Sequence, residues 1–334
     1  MLGTLQRAGR APQWHKLAIF IIACLLYFAG KSPFAGQWDS FDYLKQTVVH
    51  QPSPLGFGRP AFMAYNIALW EVMRRIFGLT PLDVEVVVLA GIILLGGVGV
   101  LAFRHMAAQM MPSPAWQLAT LGILLSPAYA LYSGYVMTEV PMLVAALGAA
   151  SLLWSSAPRH AIPRALTAGL LFGVAVGMRE QALTLAGAYL WIIWVRRLDQ
   201  RSRVRALICF GIAASVAVLG PLLAMYLWNP SGFVGRVTAY LHAVPTGRAD
   251  FLKNVEASLL YALAISPAAW LAVFGAACHR VIRRPRQRAP DGTEVSRCTA
   301  HEDPPREIPR PIWGFFLCLA LPLVVLWRDA DVQI

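Results

Sequence analysis

Apolar residues run along this chain in long blocks, with polar residues gathered in the short intervals between them. A helix needs roughly 20 apolar residues to span a bilayer. Nine runs approach that length, beginning near Leu17, Leu82, Trp116, Val140, Leu166, Gln181, Ala206, Leu259 and Ile312. The pattern predicts an all-α, polytopic membrane helical bundle of about nine spans. Residues 60–78 fit that scheme poorly. They are largely apolar yet contain Asn66, Glu71, Arg74 and Arg75, and counting them as a span would invert every later loop. An amphipathic helix lying in the outer interface is predicted instead, ended by Gly78 and Pro81.

Composition agrees with the blocks. Hydrophobic residues make up 57% of the 334 and charged residues only 14%, which excludes an ordinary soluble domain. The net charge of +12 raises the question of nucleic acid, but arginines placed between apolar runs are explained by membrane topology. No nucleic-acid partner is expected. With residues 1–16 cytoplasmic, the cytoplasmic segments hold 19 of the 29 basic residues and 6 of the 17 acidic ones. The other side holds 10 and 11, the asymmetry that the positive-inside rule demands. Residues 31–82, 134–139 and 229–256 are therefore predicted as outer loops. Arg7, Arg10 and Lys16 before an apolar stretch resemble a signal peptide, but the run continues past Cys24, so an uncleaved first span is expected.

Five cysteines, at 24, 209, 278, 298 and 318, have no paired spacing and imply neither a disulfide nor a zinc framework. Residues 280–310 carry eight arginines among Pro, Asp, Gly and Ser, and are predicted to be a disordered basic cytoplasmic loop. The remaining organisation is a transmembrane region over 17–279 and a last span with a short outer tail over 311–334. Gly169, Gly173 and Gly177 recur every four residues, a spacing that lets helices approach closely.

Two acidic signatures fall on the same predicted outer face: Asp39-Ser-Phe-Asp42-Tyr43 and Thr138-Glu139-Val-Pro141. Carboxylates at the rim of a bundle are costly, and they mark a site more often than they decorate one. On a helical turn Asp42 shares a face with Asp39, and two close carboxylates raise one another's proton affinity, which suits a general base. One of these acids as a simple helix cap is the alternative. Glu139 follows a possible N-cap, Thr138, and precedes Pro141, so the helix dipole favours its ionised form. It reads as an orienting acceptor or, equally, as a capping acid.

The order of these motifs resembles the GT-C glycosyltransferases, in particular the branch of protein O-mannosyltransferases and the lipid A aminoarabinose transferase. The likeness is carried by the acid and tyrosine after the first span, Arg59-Pro60, the helix ending Ile76-Phe77-Gly78, Tyr135-Val-Met-Thr-Glu139-Val-Pro141, and Gly173-Val-Ala-Val-Gly177-Met-Arg179. It covers most of residues 15–270. The resemblance implies transfer of a sugar from a polyprenyl-phosphate carrier to a hydroxyl acceptor on the outer face. Asp39 then stands at the family's first-loop aspartate, with Asp42-Tyr43 as a second alignment. Tyr43 falls at the tyrosine position, and Arg59 at the basic residue that contacts the carrier phosphate. Arg179 ends an apolar run where a cation is costly, and it is the second candidate for the phosphate, with snorkelling to the interface the alternative.

The chain departs from the family at some positions. Ser40 replaces an acid that often follows Asp39, and Gly58 replaces the acid of metal-binding members; no cofactor is required, and a divalent metal, for which His242 is the later luminal histidine to consider, stays open but unsupported. Asp329-Ala-Asp331-Val-Gln-Ile334 falls where family members continue, which predicts a truncated form or fragment. The expected partners are the lipid-linked donor, membrane lipids and an acceptor the residues do not specify. The expected place is the bacterial inner membrane with a periplasmic active face. A transporter, a lipid-linked sugar flippase or a non-catalytic envelope polysaccharide assembly protein are the other classes consistent with rim charges.

Overall fold

The computed structural model describes residues 13–31, 38–54, 57–110, 115–154, 160–196 and 198–243, and within them the chain is all-helical. Eleven α-helices follow in order: α1 Gln13–Ala29, α2 Trp38–Val49, α3 Pro60–Phe77, α4 Val84–Met110, α5 Ala115–Leu124, α6 Pro127–Ser133, α7 Glu139–Trp154, α8 Ala161–Met178, α9 Ala186–Val195, α10 Gln200–Trp228 and α11 Pro230–Ala243. Short 3-10 turns precede α4, at Pro81–Asp83, and α9, at Glu180–Leu185.

Among the described residues, three helical segments are long and apolar enough to cross a membrane: Pro81–Gln109, Ala161–Met178 and Gln200–Trp228. This makes a multi-pass integral membrane protein the natural reading, but it corrects the expectation of nine spans. Hydropathy runs do not register backbone breaks. The run from Trp116 stops as α5 after 10 residues, and Ser126 caps a separate seven-residue helix that starts at Pro127, where proline is tolerated. The run from Gln181 begins as a 3-10 turn and yields only the 10 residues of α9. The 16 residues of α7 rise about 24 Å, short of the roughly 30 Å of hydrocarbon. The candidate spans near Leu259 and Ile312, the basic loop 280–310 and the tail lie outside the described residues.

The helix predicted over 60–78 forms as α3. Pro60 starts it, and Gly78 ends it at φ 65°, donating its N–H to the Arg74 carbonyl. Its buried residues, Phe62, Met63, Asn66 and Trp70, lie on one face. Phe62, Met63 and Trp70 join the buried side chains of α1, α2, α4, α6 and α7 in one apolar cluster. A second cluster joins α7, α8, α9 and α10 around Leu153, Phe172, Tyr189 and Phe210. Buried tyrosines reach backbone acceptors across these contacts: Tyr129 donates to the Gly96 carbonyl at 2.9 Å and Tyr189 to Ala146 at 3.0 Å.

The glycine stripe does what its spacing predicts. Among the described residues, α8 packs more extensively on α10 than any other two helices pack. A Cβ at Gly169 would strike the Phe210 carbonyl oxygen, and one at Gly173 would strike Ala217 Cβ. At Gly177 it would meet Ala61 Cβ of α3 at 2.9 Å. Backbone cannot retreat as a flexible side chain can. Gly169→Ala is therefore expected to destabilise by about 1–3 kcal/mol through overpacking. Gly211→Ala, where nothing lies within 4 Å, is expected to be neutral or stabilising. Thermal unfolding of the two variants in detergent separates them, and equal melting temperatures would refute the close-packing explanation.

Candidate functional site

α2 and α3 run side by side in the same direction. Tyr43 meets Phe62 edge to face at 4.9 Å, and further along both helices His50 Nε2 lies 3.0 Å from Glu71 Oε1. Glu71 also accepts from Arg74 at 3.0 Å, and this hydrogen bond holds its carboxyl below the ordinary glutamate value. The parallel arrangement brings Arg59, at the start of α3, beside Asp39, at the start of α2.

The stretch leading into α3 ends in an unusual backbone. Gly58 has φ 90° and Arg59 φ 44°, two successive left-handed residues. For arginine this conformation costs roughly 1–2 kcal/mol, and such strain persists where surrounding structure enforces it. Arg59 is 8% exposed; Nη1 lies 3.9 Å from Asp39 Oδ2 and Nε 3.9 Å from Glu180 Oε2. Its guanidinium sits 5.4 Å from the Tyr43 ring centre. Among the described residues, Nε and Nη1 make no hydrogen bond, and neither does the buried Tyr43 hydroxyl. Burial pulls Arg59 below the usual arginine value; Glu180 opposes this most strongly, with smaller help from Asp39 and Glu139, while Arg179 adds to the fall. An arginine nonetheless stays protonated in proteins.

The other half of the cluster forms where α8 stops. Arg179 leaves the helix in an extended conformation, φ −153° and ψ 122°, and the chain resumes as the 3-10 turn from Glu180. Arg179 Nη1 pairs with Glu139 Oε1 and also donates to Thr138 Oγ1 at 3.4 Å. Its Nε donates to Gln181 Oε1 at 3.2 Å. Glu139 opens α7, so its carboxylate meets both the helix dipole and a guanidinium. Thr138 is fully buried, and its hydroxyl also approaches Glu139 Oε2 at 3.5 Å.

Sites far apart in sequence thus meet at one end of the bundle. Ser40, buried at the start of α2, donates to the Val136 carbonyl at 3.1 Å and ties the first acidic signature to the second. A Cβ on Gly134 would press on Lys31 Cα at 2.9 Å, so these two stretches also touch. Of the six residues singled out from sequence, Asp39, Tyr43, Arg59, Glu139 and Arg179 lie in this cluster. Asp42 is half-buried on α2 and enters no ion pair among the described residues.

Glu180 is the residue that sequence reasoning passed over. It is 14% exposed, against 38% for Asp39, and is the more buried acid facing Arg59. The cost argument that singled out Arg179 applies equally to its neighbour, so a signal was present. Among the described residues no group of three His, Cys, Asp or Glu side chains is placed to hold a metal. The cluster offers a partly exposed carboxylate at Asp39, a buried guanidinium whose Nε and Nη1 make no hydrogen bond among the described residues, and a second arginine locked to an acid. No protein-family model matches the chain, and no curated protein matches it significantly.

Proposed function

We propose that this chain is a membrane glycosyltransferase that moves a sugar from a polyprenyl-phosphate donor to a hydroxyl acceptor on the non-cytoplasmic face. One observation carries the reading: Asp39, Arg59, Glu139 and Arg179, drawn from separate helical elements, form one charged cluster at the rim of an apolar bundle. Glu180 lies between the two halves, facing Arg59.

Each member has a role in that chemistry. The acceptor oxygen attacks the anomeric carbon, the bond from that carbon to the phosphate oxygen breaks, and the phosphate leaves with the bonding electrons. The acceptor proton passes to Asp39, the most exposed acid facing Arg59. The Arg59 donors that lack hydrogen bonds among the described residues suit the phosphate, whose charge grows as it leaves. Glu180 keeps the Arg59 side chain in place when no phosphate is present. Glu139, paired with Arg179, remains an ionised acceptor that can orient acceptor hydroxyls. Tyr43 supports the flat face of the Arg59 guanidinium.

The test uses membranes containing the full chain and a panel of labelled polyprenyl-phosphate sugars. Incorporation of label into an acceptor supports the proposal and names the donor. Movement of a lipid-linked sugar across the membrane with no bond broken would replace it with a flippase.

A further inference from the structure

The turn that carries Arg59 is held from outside by a residue remote in sequence. Arg236, half-buried on α11, donates from Nη1 to the Ser53 carbonyl at 2.9 Å, across 183 residues. Ser53 is fully buried, and its N–H donates to the Gly58 carbonyl at 3.1 Å, closing the stretch before α3 on itself. Gly58 is covered from the same side: a Cβ there would lie 2.5 Å from Met225 Cε of α10 and 3.5 Å from Arg236 Nη1. The backbone that this contact braces is the left-handed pair Gly58 and Arg59.

We infer that Arg236 is a positioning residue: it latches Ser53 and Gly58 against α10 and α11 and thereby fixes Arg59 between Asp39 and Glu180. The contact reaches Arg59 through two hydrogen bonds and one strained backbone step, without Arg236 touching the charged cluster itself. A left-handed arginine relaxes towards ordinary dihedrals unless its neighbours prevent it. Relaxation at Arg59 would swing the guanidinium away from both carboxylates. This role rests on the transferase reading of the cluster, whereas the latch itself does not.

Two measurements on the full chain in detergent or nanodiscs separate latch from role. In Arg236→Met, which keeps the stem but removes the donors, amide exchange in peptides spanning 50–59 is expected to rise about tenfold. That is the scale of one hydrogen bond made by a charged donor. Arg236→Lys, which keeps a donor, is expected to restore most of the protection. Unchanged exchange in Arg236→Met would overturn the latch. For the role, Arg236→Met is expected to lower kcat/KM for the polyprenyl-phosphate sugar about tenfold with the acceptor KM unchanged, and Arg236→Lys to recover most of it. A loosened turn with undiminished kcat/KM would overturn the positioning role. Absence of any transfer by the wild-type chain would overturn the transferase reading and the role with it, while the exchange result would still decide the latch.

Discussion

Asp39→Asn is expected to lower the initial rate of sugar transfer by about 10²–10⁴-fold while the chain still folds and inserts. The amide is nearly isosteric with the carboxylate and retains a hydrogen-bond acceptor, but it cannot take the proton that the acceptor hydroxyl must lose. Folding is expected to survive because Arg59 keeps Glu180, the more buried of its two acids. The measurement is transfer of labelled sugar by membranes in which expression and melting temperature match wild type. Asp42→Asn serves as the companion, with a smaller loss expected, since Asp42 enters no ion pair among the described residues. Undiminished transfer in both variants would remove the base from this helix altogether.

Arg59→Met is expected to have the largest effect on stability, a loss of about 3 kcal/mol, because it leaves a largely buried acid without its cation. The acid is Glu180, 14% exposed and 3.9 Å from Arg59 Nε. The double variant Arg59→Met with Glu180→Met is expected to recover most of that loss, since an apolar pair of similar volume avoids stranding either charge. Equilibrium unfolding of the two single variants and the double variant gives the coupling directly. Additive losses would mean that Glu180 and Arg59 do not sense one another. Transfer should be lost in all three, so stability and activity part company in the double variant.

Elements with strong local punctuation were legible in the sequence. Gly78 ends α3 as expected, and two residues of the four-residue glycine stripe, Gly169 and Gly173, lie where α8 meets α10. The cost of a charge at the end of an apolar run singled out Arg179, which does terminate α8. The count of spans was not legible, because hydropathy is blind to how the backbone is wound. The run from Gln181 looks continuous in composition, but part of it is spent in a 3-10 turn. Ser126 and Pro127 divide another run at a point where a cap and a first-turn proline together favour a new helix.

Within the site, residue type and predicted side singled out Asp39, Glu139 and Arg179, the family resemblance added Tyr43 and Arg59, and these five lie together. Their pairing was not readable. Nothing in the sequence assigns Glu139 to Arg179 and Glu180 to Arg59, because that choice depends on which way the chain turns as α8 ends. Arg236 gave no local signal at all, since its significance lies in a carbonyl 183 residues away.

The adjacent residues Arg179 and Glu180 face opposite partners, one bound to α7 and the other to α3. This gives the dipeptide an evolutionary consequence. Reversing its order would set an acid against Glu139 and a cation against Arg59, so neither residue can reverse its charge alone without leaving like charges in contact. In any lineage that keeps this architecture, positions 59, 139, 179 and 180 are expected to change as a group or remain as they are. Deep mutational scanning should find single charge reversals there depleted, and matched reversals across each pair partly restored.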